Sequence, residues 1–333
     1  MKSNSLHNLT IAIVTRNRPR QLHACLRSLH QQEMPPLQTI IVDNDISQSA
    51  YTVYYQWKDL VKGLRYHLEK TPGISSARNA ALKKCQTKYI AFIDDDCLLD
   101  TEWMRTAFKL IMDDSYDYFV GLTKPSSQKK LPLLFAEMNM KSNGKRSILE
   151  IHSPSRTEKN SLIYHQGLNT RNAIIKMDLV RKHQLTFDAI FNRFPIGGGE
   201  DSDFGYQLIY YGARDKFAPN LIVFHDEPNT IWKVTVKAFY RGITQCQALV
   251  KWGSPLTVVN LSIVSEWVTI VRNYRVHDLK NENDIELKIA LFIYYRFIHF
   301  IGFNYMIRKI QKNKNVFGLY YYLKKFEVIK TDK

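Results

Sequence analysis

The first third of the sequence alternates short apolar runs with longer amphipathic stretches, and this alternation restricts the fold more than any other feature. Three runs rich in β-branched residues end in polar side chains; they are LTIAIVT at 9–15, TIIVDN at 39–44 and YIAFIDDD at 89–96. The stretches PRQLHACLRSLHQQ and GISSARNAALKKC place apolar residues at helical spacing. Strands that alternate with helices predict an α/β fold with a mostly parallel sheet flanked by helices.

The predicted strands deliver polar groups to one edge of this sheet. In sheets of this kind, ligands bind beyond the carboxyl ends of the strands. Here those ends carry Thr15 and Arg16, then Asp43 and Asp45, and finally Asp94–Asp96. We therefore expect a binding site at that edge.

Length and composition describe an ordinary folded protein. The 333 residues are 45% hydrophobic and 23% charged, which allows one large domain or two smaller ones. Cys25, Cys85, Cys97 and Cys246 are too widely spaced for a zinc motif, and we interpret them as reduced thiols. Because the N-terminal residues lack the pattern of a signal peptide, we expect a cytoplasmic protein.

The last third of the sequence is basic, apolar and aromatic. Residues 232–333 contain 17 Lys and Arg against 7 Asp and Glu, a net charge of +10 out of +16 for the chain. Glu266 and Arg296 interrupt its two long apolar segments, so neither offers the about 18 uncharged residues of a spanning helix. We predict a helical region that either lies in a membrane interface or packs on the preceding domain or a second copy. Its basic end consists of Arg308, Lys309, Lys312 and Lys314.

The cluster Asp94–Asp96 is the strongest chemical signal. Three adjacent carboxylates after an apolar strand repel one another, and burying them without a counter-charge is costly. A hard divalent cation relieves this repulsion, and Mg²⁺ or Mn²⁺ then binds substrate phosphates at its remaining positions. An acidic surface turn is the alternative.

The stretch GGGEDSDF at 197–204 is the second signal. Its glycines permit positive φ and close approach to a ligand, and its carboxylates come at the start of a predicted helix. One carboxylate is either a general base that deprotonates a hydroxyl or part of an acidic N-cap.

The stretch TPGISSARN at 71–79 is a weaker third signal. It predicts a helix start whose N–H groups, together with Arg78, face an anion. A plain N-cap turn with a surface arginine is the alternative.

Together these stretches resemble the family 2 glycosyltransferases, which have the GT-A fold. Seven motifs follow in the family's order between about Leu9 and His225; they are IVTRNRP, IIVDNDIS, GISSARNAAL, FIDDDC, NTRNAIIKMDLV, GGGEDSDF and VFHDEP. No single motif is specific, but seven in order are hard to obtain by chance. The second motif departs from the family pattern, because Asp45 stands where many members have glycine.

The resemblance implies roles for the matching residues. Asp201 would be the catalytic base and Glu200 would position the base or the acceptor. Asp96 would be the main ligand of a Mn²⁺ or Mg²⁺ ion, and His225 either a further ligand or a structural residue. The nucleotide-sugar site would consist of Thr15, Arg16, Asp43, Arg78, Asp94 and Asp95, with Asp43 at the nucleoside and Arg78 at the diphosphate.

The implied reaction is inverting transfer of a sugar from a nucleotide-diphosphate sugar to an acceptor hydroxyl, in bacterial surface polysaccharide or glycolipid biosynthesis. A nucleotidyltransferase acting on sugar phosphates is an alternative, although VTRNRPRQL lacks the glycine that a triphosphate loop needs. A basic protein that binds nucleic acid is a second alternative. Under the glycosyltransferase hypothesis, we expect no nucleic acid partner.

The implied organisation is a GT-A catalytic domain at 1–230 and a helical C-terminal region at 231–333. The nucleotide-binding half would span 1–120 and the acceptor half 121–230, with an irregular region at 121–165 bordering the acceptor site. The acceptor would be a saccharide or a lipid-linked saccharide, reached at the inner face of the cytoplasmic membrane.

Overall fold

The computed structural model describes residues 8–134, 147–150, 162–165, 168–193, 198–251 and 285–312. The chain divides into two compact units, Met1–Glu227 and Pro228–Lys333. The predicted boundary, after residue 230, lies three residues beyond the boundary in the structure, which follows Glu227. Of the predicted irregular region at 121–165, residues 135–146 and 151–161 lie outside the described part.

The first unit begins with the predicted alternation of strands and helices. Its elements up to residue 125 are β1 (Leu9–Thr15), α1 (Pro19–His30), β2 (Gln38–Asp43), α2 (Tyr51–Trp57), β3 (Leu64–Leu68), α3 (Ile74–Lys84), β4 (Tyr89–Asp94), β5 (Cys97–Leu99), α4 (Trp103–Met112) and β6 (Tyr118–Pro125). The remaining elements are β7 (Ser147–Glu150), β8 (Leu162–His165), β9 (Asn172–Lys176), α5 (Met177–Lys182), a 3₁₀ helix (Ala189–Arg193), α6 (Glu200–Tyr210) and β10 (Asp215–His225).

Local sequence explains the first elements. Every residue of β1 is buried, as expected for a central strand with both faces covered. Helix α1 starts at Pro19, which has no N–H to leave unsatisfied in the first turn. Its buried face consists of Leu22, Cys25, Ser28 and the neighbours Leu26 and Leu29.

The four cysteines are free and buried.

Eight strands form one sheet in the order β3-β2-β1-β4-β9-β6-β10-β5, and β7 pairs with β8 separately. The pairs β3-β2, β2-β1, β1-β4 and β6-β10 are parallel. Strand β9 is antiparallel to both neighbours, and β5 is antiparallel to β10. The sheet is therefore mixed, because β9 lies between β4 and β6 and runs in the opposite direction to both.

Asn172 secures this reversed strand in the core. Its side chain is buried, accepts a hydrogen bond from Trp103 Nε1 at 2.9 Å, and donates to the carbonyls of Leu122 and Leu221. A buried amide with all of these partners stabilises β9 between its two antiparallel neighbours, since none of these polar groups is left unsatisfied.

The predicted anion site at the start of α3 is not formed as expected. The Ser75 N–H donates to Asn192 Oδ1 at 2.9 Å, and the Ser75 hydroxyl donates to the Asp188 carbonyl. Gly73 has a φ of 124°, and a Cβ there would collide with the Asn192 side chain. Because the 3₁₀ helix lies against this N terminus, the prediction that its N–H groups face an anion was wrong for Ser75.

The described part of the second unit consists of two helices, α7 (Ile231–Lys251) and α8 (Ile285–Lys312). They cross closely at Gly242 and Gly302, where a Cβ would collide with the carbonyls of His299 and Phe239. No helix among the described residues is long and apolar enough to span a membrane. The segment SIVSEWVTIVRNY lies outside the described residues.

Candidate active site

The ends of β1 and β4 meet at the predicted edge and bury Asp95. In the register of these parallel strands, Val14 lies opposite Asp94. The Thr15 hydroxyl donates to Asp95 Oδ2 at 2.7 Å, and Arg18 Nη1 donates to Asp95 Oδ1 at 3.1 Å. Both oxygens of Asp95 thus have protein partners, which suits a residue that orients its neighbours.

Burial dominates the electrostatics of Asp95. It raises the pKa of this carboxyl to about 6, against the opposing effects of the Thr15 hydroxyl and Arg18; the charges of Asp96 and Asp94 raise it further. The acidic cluster is therefore short of positive charge, and a cation bound there would favour the ionised form of all three carboxylates.

Asp96 and His225 face each other at the edge where β5 pairs with β10, because His225 lies opposite Cys97. Asp96 Oδ1 is buried, has no hydrogen-bond partner, and lies 3.5 Å from His225 Nε2. Asp96 Oδ2 accepts a hydrogen bond from Arg18 Nη1 at 2.9 Å. A buried carboxylate oxygen beside an imidazole nitrogen fits a divalent cation, because carboxylates are ordinary ligands of Mn²⁺ and Mg²⁺ and imidazole is the commonest metal ligand in proteins.

The residues that the structure describes do not supply a complete metal-ligand shell. Among the described residues, no three His, Cys, Asp or Glu side chains lie together as a set of metal ligands. One or two protein ligands combined with substrate phosphates are typical of Mg²⁺ sites in nucleotide-dependent enzymes. Asp96 and His225 suit a cation that is completed by a diphosphate.

Arg78 joins β4 to α6. Its buried guanidinium contacts Glu200 Oε1 through Nη1 and lies 3.4 Å from Asp94 Oδ1 through Nη2. Burial alone would lower the pKa of Arg78, but Glu200, Asp94 and Asp201 raise it above its ordinary value. Arg78 thus holds carboxylates from two elements together, and its predicted contact with a diphosphate stays a prediction.

The Gly-rich loop turns into α6 as predicted. Gly198 and Gly199 have φ values of 124° and 88°, conformations that favour glycine over any side chain. The Gly198 N–H donates to Glu200 Oε2 at 2.9 Å, so Glu200 fixes both the loop and Arg78. Asp201 is half-buried in the first helical turn, where its Oδ1 accepts the Ser202 N–H at 2.7 Å.

The second-strand motif is organised around a buried Asp43. Its carboxylate accepts hydrogen bonds from the N–H groups of Asp45 and Ala50 and from the Tyr66 hydroxyl. Asp45 accepts the N–H and hydroxyl of Ser47, which hold its pKa below the usual range, and Arg16 lowers it further.

The loop tolerates Asp45 in place of glycine, because the loop residue with positive φ is Gln48. The predicted contact between Asp43 and the nucleoside remains untested; in this structure Asp43 shapes the loop.

Four further residues lie at the site, although the sequence did not assign them a role: Arg18, Asn44, Arg171 and Glu227. Asn44 bonds to the carbonyls of Glu69 and Thr71 and to the Gly73 N–H, which ties the end of β2 to α3. Arg171 precedes β9, and its Nη1 lies 3.2 Å from Glu227 Oε1 and 3.3 Å from His225 Nδ1. All four residues lie inside the motifs quoted above, but only the antiparallel direction of β9 brings Arg171 to this edge.

The mixed sheet flanked by helices matches solved structures of glycosyltransferases with the GT-A fold. The structure is similar to a mannosyltransferase from Pyrobaculum calidifontis in complex with GDP-Man and Mn²⁺, with a TM-score of 0.52 and 14% sequence identity. The similarity covers 98% of this chain and 81% of that chain, and it shows the fold.

The sequence comparison agrees with this fold. Residues 10–171, just under half of the chain, match the family described as "Glycosyl transferase family 2". This match favours the glycosyltransferase hypothesis over the nucleotidyltransferase and nucleic-acid-binding alternatives.

Two curated relatives have names from polysaccharide biosynthesis. The amylovoran biosynthesis glycosyltransferase AmsE of Erwinia amylovora is 32% identical over 27% of this chain and 35% of its own length. The succinoglycan biosynthesis protein ExoM of Rhizobium meliloti is 25% identical over 68% of this chain and 69% of its own length. The match to AmsE thus spans about a third of that relative.

Proposed function

We propose that this protein is an inverting glycosyltransferase that moves a sugar from a nucleoside-diphosphate sugar to an acceptor hydroxyl. The observation that carries the proposal is the Arg78 bridge between Asp94, at the end of β4, and Glu200, the first residue of α6. Because Asp201 follows Glu200, this bridge brings the carboxylate of a general base beside the acidic cluster that suits a cation and a diphosphate.

In the proposed reaction, Asp201 accepts the proton of the acceptor hydroxyl. The hydroxyl oxygen attacks the anomeric carbon as the bond from that carbon to the diphosphate breaks, so an α-linked donor yields a β-linked product. The leaving diphosphate is stabilised by positive charge and needs no proton, so one carboxylate suffices, unlike the pair that glycosidases use.

The remaining residues bind and orient the donor. Asp96 and His225 would hold a Mn²⁺ or Mg²⁺ ion, which when bound neutralises charge that develops on the diphosphate. Arg18 is half exposed beside Asp95 and Asp96 and adds a second positive charge there. We assign the nucleoside to the loops that carry Thr15, Arg16 and Asp43, and either the ribose or the donor sugar to Asp94.

A thermal-shift screen of nucleoside diphosphates with and without Mn²⁺ tests this assignment. We expect one nucleotide to stabilise the protein by about 2.7 kcal/mol at 100 times its Kd, a shift of several degrees in Tm. Asp96→Asn should lose the Mn²⁺-dependent part of the shift, because the amide is a much weaker metal ligand than the carboxylate.

Asp226→Asn is the matched control. Asp226 is an exposed carboxylate next to His225 that bonds to the Ser126 hydroxyl. Its substitution should leave the Mn²⁺-dependent shift unchanged. If no nucleoside diphosphate shifts Tm in the wild type, the donor assignment is wrong; if Asp96→Asn responds like the wild type, the metal assignment is wrong.

The names of the two relatives support biosynthesis of a surface polysaccharide, and the second unit supports a lipid-linked acceptor. One face of α8 is buried at Leu291, Tyr295, Phe303 and Met306. The opposite face is exposed, yet it is also apolar: it carries Leu287, Ile293, Phe297, Phe300, Ile301 and Tyr305. A helix apolar on both faces requires a second apolar environment.

We infer that this face lies on an anionic membrane surface, with the protein peripheral at the cytoplasmic side. Arg308 and Lys309 follow the apolar stripe, and residues 232–333 carry a net charge of +10. Apolar and aromatic side chains beside basic ones are the composition of an interfacial helix.

Sedimentation with phosphatidylglycerol vesicles tests this surface. We expect binding that weakens as salt rises, and at least a tenfold loss for the double substitution Phe297→Ser and Ile301→Ser, because these side chains would leave the lipid interface. Leu60→Ser, which changes an exposed leucine of the first unit, is the control. Equal binding of the double variant, or tighter binding to single-stranded RNA than to vesicles, would contradict the proposal.

A further inference from the structure

Two of the arginines at this edge are committed to protein carboxylates. The side chain of Arg78 is 6% exposed and contacts Glu200 and Asp94 through its two terminal nitrogens. Arg171 contacts Glu227, whose side chain is 5% exposed. If either arginine turned toward a substrate, it would leave a buried carboxylate without its counter-charge, which is costly.

Arg18 differs from both in its freedom to move. Its side chain is 51% exposed, and it stands directly before Pro19, where α1 begins. One nitrogen, Nη1, makes both of its ion pairs, to Asp95 Oδ1 at 3.1 Å and to Asp96 Oδ2 at 2.9 Å. In the part of the chain that the structure describes, Nη2 and Nε have no hydrogen-bond partner. Arg18 therefore has donors left for another acceptor.

The carboxylates that Arg18 contacts are also those that suit a cation. Asp96 gives Oδ2 to Arg18, while its Oδ1 is buried without a hydrogen-bond partner, 3.5 Å from His225 Nε2. A cation at Asp96 would stand close to the guanidinium of Arg18, and the two positive charges would repel each other. Because the ion pair of Arg18 is partly in water, breaking it costs little. Arg18 is therefore the group that gives way.

A diphosphate offers Arg18 a better partner than the two carboxylates do. The planar fork of a guanidinium binds two phosphate oxygens at once, and these hydrogen bonds are charge-assisted. Arg18 would exchange carboxylates that the cation has neutralised for phosphate oxygens that still carry negative charge. Positive charge at this position also stabilises the diphosphate as it leaves.

We propose that Arg18 binds the diphosphate of the donor: it neutralises Asp95 and Asp96 before the donor enters, and turns to the phosphates when donor and cation bind. This inference rests on the proposed function and gives Arg18 the contact that the family resemblance implied for Arg78. Two other roles compete with it. Arg18 either stays on the carboxylates as a structural ion pair, or fixes the orientation of Asp96 for the cation.

Arg18→Met separates these roles through two affinities that should change in opposite directions. Mn²⁺ alone should bind about two- to fivefold more tightly, because the guanidinium no longer competes for Asp96 and an ion pair partly in water contributes little. A nucleoside diphosphate in saturating Mn²⁺ should bind at least about tenfold more weakly, because a hydrogen bond to a charged group is lost. A structural ion pair predicts no gain in Mn²⁺ affinity, and orientation of Asp96 predicts a loss of both affinities.

The two affinities need separate measurements. The electron paramagnetic resonance signal of free Mn²⁺ gives the affinity for Mn²⁺ alone. Isothermal titration calorimetry gives the Kd of the nucleotide, which is the one among UDP, GDP, ADP, CDP and dTDP with the largest Mn²⁺-dependent thermal shift.

Arg27→Met is the matched control. Arg27 is an exposed arginine in the last turn of α1, so its substitution removes the same charge from the same helix, away from the edge. Both affinities should stay within about twofold of the wild type, because salt screens exposed charges over the length of the helix.

Arg18→Gln keeps a neutral donor for Asp95 and replaces Arg18→Met if that variant does not fold; the same two opposite changes are expected. If Mn²⁺ alone binds no more tightly to the variant, or if its affinity for the diphosphate is unchanged, the proposal is wrong. If the wild type binds neither Mn²⁺ nor any of the nucleoside diphosphates, the proposed function fails together with this inference. A wild type that binds both, beside a variant that binds both equally well, contradicts only the role of Arg18.

Discussion

Asp201→Asn should lower kcat for sugar transfer by at least about a thousandfold, at the upper part of the range for loss of a general base. The amide retains the shape of the carboxylate and an oxygen that can accept the Ser202 N–H, so α6 should keep its first turn. It cannot accept a proton from the acceptor hydroxyl near neutral pH. The Kd for the nucleoside diphosphate with Mn²⁺ should change less than about twofold, because Asp201 acts only on the acceptor.

Release of nucleoside diphosphate from the donor selected by the thermal-shift screen measures this loss. Asp203→Asn is a suitable control, since Asp203 lies in the same helical turn and its buried Oδ2 accepts a hydrogen bond from Gln207. This variant should lose stability rather than turnover per folded molecule. Normal turnover by Asp201→Asn would move the role of base to another residue.

Arg78→Met should lower the free energy of unfolding of the first unit by about 3–5 kcal/mol, the usual cost of removing one partner of a buried ion pair. The reason is that Glu200 is only 6% exposed and would keep its charge without the guanidinium. Urea unfolding followed by tryptophan fluorescence measures the loss, because Trp103 is fully buried in the core of this unit.

The double variant Arg78→Met, Glu200→Gln should recover at least half of this stability, since it removes the uncompensated charge as well. It should nevertheless transfer sugar poorly, because the bridge that positions Asp201 is lost. If Arg78→Met alone costs less than about 1 kcal/mol, the pair is solvated in solution and cannot be the link that assembles the site.

Much of the first unit was predictable because its signals are local. The apolar runs end at polar residues, and the structure places strands at Leu9–Thr15, Gln38–Asp43 and Tyr89–Asp94. Parallel neighbouring strands bring their carboxyl ends to one edge, so Thr15 and the aspartate cluster had to lie close together. The long apolar segment at 285–312 is likewise a helix.

Other parts of the site were not predictable, because they depend on partners distant in the chain. The α3 N terminus has suitable residues for an anion, but Asn192 occupies the Ser75 N–H. Arg78 has suitable chemistry for a phosphate, but Glu200, more than a hundred residues away, contacts it in this structure. Local sequence carries no information about which distant group satisfies a donor.

The sequence alone determined the three strands that end at Thr15, Asp43 and Asp94, the acidic cluster Asp94–Asp96 and the helix that begins at Glu200. These features depend on periodicity, on turn residues and on charges that lie next to one another. The tertiary structure alone decided that β9 runs antiparallel, so that Arg171 reaches His225 and Glu227. The reason is physical. The direction of a strand depends on how the whole sheet assembles, and the hydrogen-bond partner of a side chain depends on the position of that side chain in the folded sheet.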